Sequence, residues 1–210
     1  LHETVGKEIA EKNGATNVAE YWNEHYNKPM GRAVAELAAH YGLSFDSPHS
    51  QNFLIELDDH MKPTGKIVMR DLGDMYVWRP FFEATGNEMF VRKFEQENIK
   101  ARQLSIAFGP LHGNKAPSWM SEEDYQKWGK DFFDAFEEKF SGLTGIPKDH
   151  LKATRAYNTT YSYFGKGYPT HDPEWHEFLK LAKCFQGSLV DADGRPCPER
   201  LLARLKREPS

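Results

Sequence analysis

The sequence predicts an α+β protein, a mainly helical domain around a small antiparallel sheet. Three observations carry that expectation. Apolar residues recur at helical spacing, at Val18, Tyr21, Trp22 and Tyr26 and again at Trp128, Phe132, Phe136 and Phe140. Two short apolar runs, NFLIEL and KIVM, are joined by DDHMKPTG, whose Asp, Pro and Gly residues form turns. Helical spacing then resumes beyond the second run, with no internal repeat or low-complexity tract.

In chain order, the pattern from Val18 to Tyr41 predicts two helices, roughly 16–27 and 30–41. Pro29 and Gly31 separate them, and Gly42 stops the second. The runs from Asn52 to Leu57 and from Lys66 to Met69 make a hairpin. Phe90, Phe94, Ile99, Leu104 and Phe108 predict a helix over 89–108, ended by Gly109 and Pro110. Ser121 with Asp124 three residues on is an Asp-bearing capping box, opening a helix to Gly142 whose stripe of Trp128, Phe132, Phe136 and Phe140 reads as core. Later helices are expected from about Pro147 to Phe164, through WHEFLKLAKCF after Asp172, and in ERLLARLKR.

The 210 residues suffice for one sizeable core, and 39% hydrophobic residues, with 14 Phe, 9 Tyr and 5 Trp, argue against disorder. We read 1–210 as a single domain: 1–80 carries the hairpin with its lead-in helices and 81–210 a helical part. A start at Leu1 rather than Met suggests the C-terminal part of a longer protein. The formal charge of -4, from 27 Lys and Arg against 31 Asp and Glu, offers no general attraction for a phosphate backbone, so nucleic acid is not an expected partner. No run of about 18 apolar residues exists, and LHETVGKEIAEKNG lacks a secretory apolar core, so neither a membrane span nor an intact export signal is expected. A cytoplasmic protein is the simplest reading. Cys184 and Cys197 form no CxxC pair and are expected to be reduced thiols.

The chemistry concentrates between His40 and Asp74. An antiparallel hairpin brings its two ends side by side, so HSQN entering the first strand and RDLGD leaving the second share one mouth. His49, Gln51 and Asn52 then supply an imidazole and two amides, and Arg70 and Asp71 a cation and a carboxylate. Carboxylate and amide oxygens are hard ligands for Mg²⁺, which leans on substrate phosphates, so the set suits a nucleotide with its metal. Imidazole and amide donors can meet phosphate oxygens or a developing acyl oxyanion.

The run YGLSFDSPHSQNFLIEL, then a turn and IVMRDLGD, resembles the siderophore synthetases that work without a nonribosomal peptide template, the IucA/IucC-like family, in their C-terminal part. The shared pattern is a helix ending in Tyr-Gly, a small link, His-x-Gln-Asn, a strand, and a second strand ending in Arg-Asp. It covers about the first 80 residues; the helical remainder is compatible with the palm and thumb region of such enzymes. The resemblance implies a ligase, with ATP and Mg²⁺ as cofactors, that activates a citrate-type carboxylate as an acyl adenylate, captured by an amine or hydroxyl. Its partners would be small carboxylate and amine substrates, and a homo-oligomer is compatible with it. Carried across, His49, Gln51 and Asn52 would contact phosphates or the activated carboxylate, with His49 catalytic, while Asp71 and Asn52 would hold Mg²⁺. Arg70 would either join the nucleotide site or anchor the hairpin. Ser47 stands where the family has a glutamate, with Asp46 one position further back. The family's basic and hydroxyl phosphate ligands lie upstream of the motif, where this chain has about 48 residues.

Two other functions fit the same residues. A kinase-like phosphotransferase shares the order His, Asn, strand, Asp, but only Ser50 and Gln51 stand between His49 and Asn52, with no catalytic aspartate. A non-catalytic nucleotide- or carboxylate-binding domain would keep the hairpin without turnover. Elsewhere, His171, Asp172 and His176 lack the i, i+4 spacing of a helical zinc pair, and Asp172 reads as an N-cap. Tyr157, Tyr161, Tyr163 and Phe164 read as a packed helix end, and Lys180, Lys183, Arg200, Arg204, Lys206 and Arg207 as solvated faces.

Overall fold

The computed structural model describes residues 3–45, 50–72, 75–96, 101–102, 117–145 and 148, which form a mostly helical α+β arrangement. Helix α1 spans Glu3–Lys12 and α2 spans Val18–Trp22. The Asn17 side chain accepts from the Glu20 N–H and so caps the first turn of α2. A π-helical turn, Asn23–Asn27, leads without a break into α3, Lys28–Tyr41.

The expected gap at Pro29 is therefore absent. Proline lacks an N–H and its ring crowds the carbonyl four residues back, which normally breaks a helix. Here the turn before Pro29 is widened, with the Lys28 N–H reaching the Asn23 carbonyl, so the chain passes proline as a wide turn instead of a break. Gly31 does not interrupt the helix either; it permits contact. A β carbon there would lie 2.5 Å from the Phe132 carbonyl oxygen and 3.4 Å from the Ala135 β carbon.

That contact is the crossing of α3 with α6, Glu122–Thr144. Met30, Val34, Ala35 and Ala38 on α3 meet the stripe of Trp128, Phe132, Phe136 and Phe140, all buried as their i, i+4 spacing predicts. Ser121 and Asp124 form the expected reciprocal capping box. Polar groups inside the crossing are linked in series: Asn27 Nδ2 donates to Asn23 Oδ1 and to the Trp128 carbonyl, both at 2.7 Å, and Asn23 Nδ2 donates to Asp131 at 2.6 Å, while Asn27 Oδ1 is left without a partner among the described residues. The buried indoles of Trp22 and Trp128 donate to the carbonyls of Gly6 and Ala19.

Gly42 stops α3 in the left-handed region, φ 65°, as expected. Strand β1, Leu43–Phe45, follows directly and pairs antiparallel with β4, Met75–Trp78, placing Leu43 opposite Val77. Between them lies the hairpin of β2, Phe53–Leu57, and β3, Pro63–Met69. Helices α4, Arg79–Ala84, and α5, Glu88–Gln96, come next, and then β5, Ala101–Arg102, parallel to β4.

Two expectations are corrected here. Beside the hairpin stands a second, three-stranded sheet in the order β1-β4-β5, which the sequence reading passed over because its strands are too short to show an alternating pattern. The helix expected over 89–108 ends as α5 at Gln96, and Ala101 and Arg102 pair with Val77 and Trp78 instead. Val91 is buried and Phe90 exposed, so Phe90 lies off the buried face of α5.

Candidate nucleotide and metal site

The hairpin forms for local reasons. At its tip the Asp58 carboxylate accepts the N–H groups of Lys62 and His60, and the first of these bonds most strongly holds that carboxyl below its usual range. Phe53 pairs with Met69, Leu54 with Val68 and Ile55 with Ile67. Phe53 is buried, Ile55, Leu57, Ile67 and Met69 pack against the helical core, and Leu54 and Val68 face outward. Two side chains brace it on the helices: Asn13 Nδ2 donates to the Met61 carbonyl at the tip (3.1 Å), and the buried Tyr26 hydroxyl lies 3.4 Å from the Phe53 carbonyl at the base. Burial without ionic help raises the Tyr26 phenol far above its ordinary pKa, so it stays protonated and can donate.

At the mouth, the structure brings four of the five residues singled out next to one another, Gln51 through its backbone carbonyl. Ser50–Asn52 forms a single tight turn into β2. The Arg70 N–H donates to the Asn52 carbonyl at 2.9 Å, and Arg70 Nε to the Gln51 carbonyl at 3.1 Å. Asn52 is buried, 6% exposed, while Gln51, Arg70 and Asp71 are exposed. Asn52 Nδ2 faces Asp71 Oδ2 at 3.5 Å, long for a hydrogen bond but close enough that a small movement tightens it. His49, with Asp46 and Ser47, lies outside the described residues. So do His171, Asp172, His176, both cysteines, and the Tyr157 to Phe164 stretch.

Sequence reasoning missed how Asp71 is aimed. Its backbone is left-handed, φ 57°, so the chain turns back as it leaves β3 and the carboxylate comes to the Asn52 side of the mouth. Asp and Asn enter that region more readily than most other side chains, and an Asp closing a strand just before Leu-Gly was the available signal. The Tyr26 brace was also missed, because its helical spacing explained it as core alone.

One exposed carboxylate beside one buried amide is too small a set to enclose a cation by itself. It suits a hard cation shared with the phosphate oxygens of a bound ligand. Among the described residues no group of three or more His, Cys, Asp and Glu side chains converges, and no helix is long and apolar enough to cross a membrane. Comparison with protein-family models, with curated proteins and with solved structures returned no match.

Proposed function

We propose that this chain carries the nucleotide end of an ATP-dependent carboxylate ligase of the siderophore-synthetase type. The observation that supports the reading is the convergence of Gln51, Asn52, Arg70 and Asp71 at one hairpin mouth, two sequence clusters brought together by strand pairing. In this reading Asp71 and Asn52 hold Mg²⁺, which offsets the charge of the triphosphate. Gln51, with His49 preceding the turn, meets phosphate or acyl oxygens. The substrate is a citrate-type acid. Its carboxylate oxygen bonds to the α-phosphorus as the bond to the bridging oxygen breaks, releasing pyrophosphate. An amine nitrogen or hydroxyl oxygen then attacks the acyl carbon, AMP leaves with the electron pair, and the nucleophile loses a proton. The donors at the mouth act by meeting charge on the phosphates and on the acyl oxygen.

The test is to incubate the chain with ATP, Mg²⁺ and citrate, with hydroxylamine as the trapping nucleophile. Pyrophosphate and a hydroxamate in equal amounts are expected. ADP as the product would instead assign a phosphotransferase, and ATP bound but unconsumed would assign a non-catalytic binding domain.

A further inference from the structure

Resting on the nucleotide reading above, we propose that Arg70 is a positioning residue, a clamp that holds Asn52 in front of Asp71, and not a phosphate ligand. Its two donors engage consecutive carbonyls across the mouth: the backbone N–H takes Asn52 at 2.9 Å and Nε takes Gln51 at 3.1 Å. The first bond extends the β2–β3 ladder by one step beyond the Phe53 and Met69 pair. The second is made by the side chain, folded back over the turn at Ser50–Asn52.

The consequence for the site is geometric. A single tight turn is held by few bonds of its own, and the residue it must place, Asn52, is the one whose amide faces the carboxylate. Tying the carbonyls of both Gln51 and Asn52 to one residue removes the freedom of that turn to rotate. Asp71 is the next residue in the chain, so one stretch of backbone carries both the clamp and the carboxylate. An arginine that binds phosphate presents its planar fork of donors outward. Here the Nε edge of the fork is spent on the protein's own backbone.

Lysine separates the two roles, because it keeps the charge but has no donor at the Nε position. The experiment measures Mg²⁺-dependent ATP binding by titration calorimetry for the wild-type chain, Arg70→Lys and Arg70→Ala, at low and high salt. In parallel, hydrogen exchange of the backbone amides of residues 52, 53 and 70 is followed without nucleotide. A clamp predicts that both variants bind at least about tenfold more weakly, the range in which a supporting group matters to a metal site. It also predicts that the loss is similar at both salt concentrations and that the three amides exchange faster in both variants. Arg70→Lys within about twofold of wild type while Arg70→Ala falls, with unchanged exchange, would overturn the clamp and restore a role for charge on phosphate. Absence of Mg²⁺·ATP binding in the wild-type chain would overturn the nucleotide reading and the positioning role with it, and is distinguished by occurring before any substitution.

Discussion

The side-chain amide of Asn52 and the carboxylate of Asp71 face each other at 3.5 Å, one on a buried residue entering β2 and the other on an exposed residue leaving β3. The contact depends on the left-handed backbone of Asp71, φ 57°, as much as on strand pairing. Asp71→Asn is therefore the informative substitution. It keeps the shape and the tolerance for that backbone while removing the charge, whereas alanine would add a conformational cost of about 1–2 kcal/mol. Asp71→Asn is expected to melt within about 1 °C of wild type, a change of a few tenths of a kcal/mol. Its Mg²⁺-dependent ATP affinity should fall about tenfold or more. Unaltered affinity, read by calorimetry, would remove Asp71 from the site.

Gly31 sits at a close approach between α3 and α6. In an exposed helix, Gly→Ala would gain roughly 1 kcal/mol in helix propensity. At this position the added methyl meets the Phe132 carbonyl oxygen, which belongs to backbone and cannot swing aside. Overpacking of this kind costs about 1–3 kcal/mol, so Gly31→Ala should lower the urea midpoint with an unchanged slope. A variant as stable as wild type, or more so, would mean the helices cross further apart than the structure has them.

Acid sensitivity should centre on Asp131. Burial pushes its carboxyl upward, but hydrogen bonds from Lys127 at 2.8 Å and Asn23 at 2.6 Å, with the charges of Lys127 and Lys28, outweigh that and hold it below the ordinary range. With the folded value below the unfolded one, the group stabilises the fold at pH values above about 4, the unfolded reference. That contribution is lost as pH falls through the lower, folded value. Asp131→Asn should cost about 1.5–3 kcal/mol near neutral pH, the range for hydrogen bonds to a charged group, and should flatten the acid limb of stability against pH. Parallel curves for wild type and variant would show that Asn23 and Lys127 do not depend on this charge.

Local chemistry made some of these features legible and left others hidden. The capping box of Ser121 and Asp124 and the turn residues at Asp58 act within a few residues, so their sequence pattern is already their mechanism. The four aromatic residues of α6 were readable because a helix that buries one face repeats every 3.6 residues whatever it packs against. The pairing of the site clusters was readable for a related reason: a short turn leaves an antiparallel hairpin little choice of which ends meet.

What the amino-acid sequence determined by itself is thus the set of elements whose stabilising partners lie nearby in the chain: the stop at Gly42, the hairpin, the capped α6 and the meeting of Gln51 and Asn52 with Arg70 and Asp71. Tertiary structure alone decided the closeness of Gly31 to Phe132, the pairing of Ala101 and Arg102 with β4, and the bracing of the hairpin by Asn13 and Tyr26. Each of these depends on a group far away in sequence, and a residue's own propensity cannot report whether such a partner will be there to offset its cost.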